Sequence, residues 1–286
     1  MQPYFNSLQN LISSKTSKAI VLLAVGLLSS GQLMAVVSTT YTLTDNGSTA
    51  LVDPDSGAGM YHWSIDGQNQ LEKQWFYFRV GNLDVAQPIN SISSSILLNN
   101  NANTLVTSYA NAQFSLTISY VLTGGSFGAG SADILETISV QNNSGSPLDF
   151  HLFQYSNFDL LGTPGLDSVQ FLGLDSVIQK EGLFGIQEGI IQPEASFGEA
   201  SLAGLGGTLD KLTTVPGYNL NNNMGPITGD VTWAFQWDYT IANGASLDVF
   251  KDKTLIVPTI PEPTSLSLIA VGLGALLTAS SRRRSK

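Results

Sequence analysis

Residues 133–141, DILETISVQ, put Ile134, Glu136, Ile138 and Val140 on one side of an extended chain and Leu135, Thr137 and Ser139 on the other. That period of two belongs to a strand with two different faces, because helical side chains return to one face only about every 3.6 residues. The alternation recurs at residues 38–45 (STTYTLTD), 91–98, 104–109 and 113–123, and residues 60–66 and 148–155 (LDFHLFQY) read as further strands. Residues 73–82 add Trp75, Phe76, Tyr77 and Phe78 in one run, which predicts a strand buried on both faces. Asn46-Gly47, Asp66-Gly67 and Gly124-Gly125 punctuate these segments as turns. Two antiparallel hairpins are predicted: residues 133–141 with 148–155, and 230–242 with 245–257 around Asn243-Gly244. Residues 162–207 are glycine-rich and read as loops and small hairpins, with short strands at 168–172 and 175–179; residues 211–229 read as a polar loop. Many short strands at this spacing predict an all-β fold, a large antiparallel β-sandwich over residues 36–258, with two smaller sandwiches as the alternative.

Composition narrows the chemistry. Hydrophobic residues make up 43% of the chain, enough for a sizeable core, while charged residues are only 12%, against about a quarter in ordinary soluble proteins. There is no cysteine, which excludes disulfides, a thiol nucleophile and thiolate metal ligands. Of the 12 Lys and Arg, Lys15, Lys18, Arg282, Arg283, Arg284 and Lys286 lie in the terminal segments, whereas of the 22 Asp and Glu only Glu262 does. The body is therefore strongly acidic and repels phosphate backbones, which excludes nucleic acid as a partner.

Both ends carry export information. Lys15 and Lys18 precede an apolar stretch at residues 19–28, followed by small residues up to Ala35. Residues 1–35 thus read as a signal peptide for the general secretion machinery, with cleavage after Ala35; an uncleaved anchor is the alternative. At the other end, Pro261-Glu262-Pro263 is followed by a stretch without charge from Thr264 to Ser281 and then by Arg282, Arg283 and Arg284. As a helix, residues 265–281 span roughly 25 Å at about 1.5 Å per residue, just enough for a hydrocarbon core of about 30 Å. The arginines stay on the cytoplasmic side and leave everything before Pro261 outside. Pro261 and Pro263 keep the tripeptide extended, the form an enzyme can grip. On physics alone, an ordinary membrane anchor accounts for the same residues.

The order of these parts resembles the PEP-CTERM sorting signal of Gram-negative bacteria. The resemblance is confined to residues 261–286. It implies recognition of Pro261, Glu262 and Pro263 by exosortase, a membrane-embedded, cysteine transpeptidase-like enzyme. It further implies removal of the helix, transient residence in the inner membrane, and a mature protein at the cell surface or in extracellular polymer. About the function of the body it implies nothing.

Within the body, no nucleophile elbow, His-Glu-x-x-His helix or phosphate loop occurs. His62 and His151 sit in strands, where either could join Asp66, Asp149 or Asp159 in a metal or acid–base site; a structural role is the expected one. Asp53, Asp55 and Gly57 resemble a fragment of a calcium loop, but Ser64 stands where the closing glutamate belongs, so an Asp-Pro turn is expected instead. No metal, cofactor or catalytic residue is predicted. Trp63, Trp75, Trp233 and Trp237 offer surfaces for stacking a sugar, yet Trp233 and Trp237 share a strand face with Phe235 and Tyr239, which predicts a core stripe. The sequence thus points to an exported, surface-sorted, non-enzymatic β-sandwich of the envelope or extracellular matrix. A carbohydrate-binding module or carbohydrate-active enzyme, with extracellular polysaccharide as partner, is the alternative. An exposed aromatic–carboxylate cleft is the feature that separates the two.

Overall fold

The computed structural model describes residues 39–256. In chain order the strands are β1 (Tyr41–Asp45), β2 (Ser48–Asp53), β3 (Gly59–Ile65), β4 (Gln68–Asn69), β5 (Leu71–Val80), β6 (Gln87–Pro88), β7 (Ile96–Asn100), β8 (Thr104–Ala110) and β9 (Phe114–Gly124). They continue with β10 (Ser131–Asn142), β11 (Leu148–Phe158), β12 (Asp167–Phe171), β13 (Ser176–Glu181), β14 (Phe184–Gln192), β15 (Phe197–Leu202), β16 (Ile227–Gly229), β17 (Val231–Ile241) and β18 (Ser246–Ile256). A short helix, α1 (Thr208–Thr214), follows β15. The first sheet runs β1-β2-β3-β5-β11-β17-β15, with β4 beside β3 and β6 beside β5; the second runs β16-β12-β13-β14-β18-β10-β9-β8-β7. Pairing is antiparallel except where Gly59 and Met60 meet Gln74 in parallel register.

This is one enlarged sandwich. Its two sheets touch through rings: Phe114 of β9 meets Phe78 and Phe150 at 5.3 and 5.0 Å, and Phe171 of β12 meets Phe235 at 5.0 Å. All four tryptophans are buried, and Trp233 stacks on Phe158 at 5.3 Å. The predicted core stripe on β17 is therefore real up to Trp237; Tyr239, at the end of the strand, is 38% exposed.

Neither predicted hairpin forms. β10 lies in the second sheet and β11 in the first; β17 lies in the first and β18 in the second. Each reversal is an arch between sheets, and the partners come from the other arch: β10 pairs with β18, and β11 with β17. The reason is burial. β11 is buried on both faces along most of its length, whereas the outer residues of β10 are half-buried or exposed. Strands with such different outer faces do not belong side by side.

The glycine-rich segment holds four strands, β12 to β15, of which β14 pairs with β18 in the middle of the second sheet and β15 forms an edge of the first. The strand predicted at 91–98 begins only at Ile96, after a 3-10 turn at Ile89–Ser91. No helix among the described residues is long and apolar enough to cross a membrane. The signal peptide at 1–35 with Ala35, and the tail at 259–286 with Pro261, Glu262, Pro263 and Arg282–284, lie outside the described residues.

Candidate functional site

Three polar constellations stand out in the sandwich. The first is sealed between the sheets. Glu136 on β10, Glu188 on β14, and Lys251 and Lys253 on β18 all point inward and are buried. Lys251 binds Glu136 and lies 3.2 Å from Glu188, while Lys253 lies 2.9 Å from Glu136 and 3.6 Å from Glu188. Across the gap, Gln154 and the Trp233 indole donate to Glu188 at 3.0 and 3.3 Å. Burial alone would raise the Glu136 carboxyl, but Lys251 and Lys253 outweigh it and hold it below the usual range. Ion pairs tolerate such a site only when every charge is matched. The alternation had put Glu136 among Ile134, Ile138 and Val140; a charge in an apolar register was the signal, and its partners were invisible.

The second constellation covers the outer face of the first sheet. His151 on β11 stands in register with Arg79 on β5 and Asp238 on β17. Its Nδ1 lies 2.6 Å from Asp238 Oδ1, and its Nε2 lies 3.6 Å from Asp149 Oδ1. Asp149 was a predicted companion of His151; Asp238, 87 positions away, was missed, since only strand register brings it close. Burial pushes the Asp238 carboxyl up, but hydrogen bonds with His151 and Gln236 and the Arg79 charge hold it below its ordinary value. The segment after α1 lies over this face: Arg79 donates to the Tyr218 carbonyl at 2.6 Å and to Asn219 Oδ1 at 2.8 Å, and Gln236 donates to Asn219 Oδ1 at 2.9 Å. Glu199 accepts from Lys211 and Tyr218, both at 2.6 Å. With His151 only 4% exposed, this layer fastens the covering segment to the sheet.

The other predicted residues do not converge. His62 is half-buried on β3, and desolvation lowers its pKa. Asp66 sits at a turn with φ 52° and accepts from the Gly128 N–H at 3.1 Å. Asp53 accepts from the Asp55 N–H at 3.1 Å, the expected Asp-Pro turn, while Asp55 accepts from the Ser95 N–H at 2.7 Å. No three His, Asp or Glu side chains among the described residues are grouped as metal ligands. On the outer face of the second sheet Asp133 hydrogen-bonds Asp252, and burial together with that neighbour pushes Asp133 up to about 6. Two carboxyls in contact are too close to flank a glycosidic bond, which needs about 5 Å or more between them.

The third constellation is open. β14 pairs with β18 only as far as Gln192 opposite Phe250, and a register shift leaves Ile191 as a bulge. β15 pairs with β17 only from Phe197 opposite Gln236. Residues 239–242 and 245–248, on either side of the arch, therefore border a cleft of about 470 Å³ whose walls include Gln192, Tyr239, Thr240, Ser246, Asp248 and Phe250. The Trp237 indole donates to the Pro193 carbonyl at 3.0 Å and holds one wall from behind. The side chains of Gln192, Tyr239, Thr240, Ser246 and Asp248 have no hydrogen-bond partner among the described residues. The cleft thus combines an exposed phenol ring, a second aromatic ring, one carboxylate and free hydroxyl and amide groups. Tyr239 had been assigned to the core stripe; it escapes because β17 outruns its neighbour.

No family model matches the chain, and no curated protein matches it. Among solved structures it is similar to a bacterial glucoamylase complexed with acarbose, with a TM-score of 0.59 at 7% identity over 82% of this chain and 34% of that one. It is also similar to galactose mutarotase-like proteins from Lactobacillus casei and Clostridium acetobutylicum. Both have a TM-score of 0.51, at 9% and 10% identity, over 76% of this chain and 100% and 95% of theirs. The chain spans about a third of the glucoamylase. At these identities the likeness is one of fold.

Proposed function

We propose that the chain is an exported β-sandwich that binds a neutral carbohydrate without cleaving it. The aromatic–carboxylate cleft carries this reading. The C–H face of a sugar ring stacks on an accessible aromatic ring, here the exposed Tyr239 or the half-buried Phe250, while Asp248, Gln192 and the Thr240 and Ser246 hydroxyls are free to bond sugar hydroxyls. The volume, about 470 Å³, falls within the range of small-ligand sites. Among the described residues one carboxylate, Asp248, lines the cleft, whereas hydrolysis takes two flanking the bond. The acidic body disfavours anionic glycans. The likeness in fold to the acarbose-bound glucoamylase and the mutarotase-like proteins supports a carbohydrate ligand over other neutral ones.

The terminal segments support delivery of this sandwich to the cell surface or matrix by way of Pro261, Glu262 and Pro263. The two readings are compatible, since a matrix protein has polysaccharide as its neighbour.

The test is binding of the purified full chain to an array of neutral oligosaccharides, followed by calorimetry on the best ligand. Tyr239→Ala and Asp248→Ala are expected to weaken binding at least about tenfold, the loss of one contact worth about 1.4 kcal/mol, with melting temperature unchanged. Retention of no neutral glycan by the wild type, or wild-type affinity in both variants, overturns the reading.

A further inference from the structure

Gln74 on β5 and Lys253 on β18 meet in the interior between the sheets. Lys253 Nζ donates to Gln74 Oε1 at 3.0 Å and to Glu136 Oε2 at 2.9 Å, and all three side chains are buried. The carboxamide nitrogen of Gln74 has no hydrogen-bond partner among the described residues, and neither has Glu136 Oε1. An amine on a carboxamide, a carboxylate bridging to it and an amide nitrogen held by nothing are the parts of a transamidation. We propose that Lys253 and Gln74 join in an intramolecular isopeptide bond, with Glu136 moving the protons, so that the two sheets are linked covalently.

The step balances within the cluster. The Lys253 ammonium gives one proton to Glu136, and the free amine attacks Gln74 Cδ. A bond forms between Nζ and Cδ. The Glu136 proton passes to Gln74 Nε2, the Cδ–Nε2 bond breaks, and ammonia leaves. The second proton of Nζ remains on Glu136, now a neutral acid. No oxidant, metal or second substrate enters. One buried ammonium and one buried carboxylate disappear together, which relieves part of the cost of holding four charges out of water.

Several features favour the reaction. Lys253 Nζ stands 3.0 Å from Gln74 Oε1, one bond from the carbon it attacks; fixing both partners so close is worth an effective concentration of about 10⁵–10⁸ M. Burial, with the Lys251 charge beside it, brings Lys253 down to about 8 against the pull of Glu136 and Glu188, so the amine is accessible. Lys251 is raised instead; it meets Glu136, Glu188 and the Phe76 ring, and no carboxamide is among its hydrogen bonds. In a chain without cysteine, this bond does the work of a disulfide.

The test is peptide mapping by mass spectrometry of the full chain, digested under denaturing conditions. Expected is a branched peptide joining the Gln74 and Lys253 segments, lighter than their sum by one ammonia. Lys253→Arg, which keeps the charge, is expected to give two linear peptides of full mass, and Glu136→Gln to leave most of the chain unlinked. The wild-type map decides the matter even if a variant misfolds. Gln74 and Lys253 in separate linear peptides of full mass, or a branch at Lys251, overturns the proposal.

Discussion

The Asn142 side chain donates to the Ile241 carbonyl at 2.7 Å, tying the arch that follows β10 to the arch that follows β17. The same amide donates to the Ser146 carbonyl at 2.7 Å, and its oxygen accepts from the Ser144 N–H at 2.8 Å. The main chain repeats the link: Asn142 N–H donates to Ala245 O at 3.0 Å, and Gly244 N–H to Asn142 O at 2.9 Å. One buried residue thus stitches together the two places where the chain changes sheets, beside the open cleft.

Replacing Asn142 by alanine leaves two carbonyls without their donor. Each buried group left unpaired costs about 1–3 kcal/mol. Asn142→Ala is therefore expected to lower the urea midpoint with little change in the denaturant slope. A midpoint equal to that of the wild type would show that water replaces the amide without loss.

Trp233 is fully buried, stacked on Phe158 and hydrogen-bonded to Glu188. Trp233→Ala is expected to cost about 3–5 kcal/mol, with a further loss because Glu188 gives up a donor. Calorimetric melting checks this; an unchanged melting temperature contradicts the buried assignment.

Asp167 supplies a pH dependence. It is 1% exposed, accepts from Gln179 at 2.7 Å and from the Leu160 N–H at 3.3 Å, and has one oxygen without a partner among the described residues. Burial pushes its carboxyl up to about 7, against those two hydrogen bonds and with the help of Glu181 and Asp159. The unfolded chain releases this proton near pH 4, about its ordinary value. The stability Asp167 contributes is therefore fully present below about pH 4 and is lost as pH rises through about 7. Asp167→Asn is expected to reduce the fall in stability between about pH 5 and pH 8 by about 1–3 kcal/mol. Urea midpoints at the two pH values measure it; parallel falls in both proteins refute the assignment.

Sorting is tested at the tail. Glu262 is the only charge between Lys253 and Arg282; on the proposed sorting reading it is the anion that a basic enzyme pocket would grip. Glu262→Ala, or deletion of Arg282, Arg283 and Arg284, is expected to leave the sandwich folded and to block processing. The protein then accumulates in the inner membrane at unprocessed mass. If both variants leave the membrane at mature size, the tail is not a signal of this kind; if the wild type keeps Arg284 at the surface, it is a plain anchor.

Local pattern by itself determined that the chain is built of strands and which side chains of most strands face inward, because alternation forces every second residue to one side whatever the partner. It determined the buried stripe on β17 and placed Glu136 on an apolar face. In residues 162–207 it found the short strands at 168–172 and 175–179, which are β12 and β13 paired as a hairpin, but not β14 and β15, where Gly185, Gly189 and Gly198 present no side chain to the alternation and Glu188 puts a charge on the buried face. Only the tertiary structure decided what each strand pairs with. Asn243-Gly244 says that the chain reverses, but a reversal serves equally within a sheet or between sheets, and the choice rests on outer-face burial set by segments far away. The same holds for the chemistry. His151 meets Asp238, Lys253 meets Gln74, and Tyr239 meets daylight through strand register and strand length, quantities fixed by packing partners that local sequence does not contain.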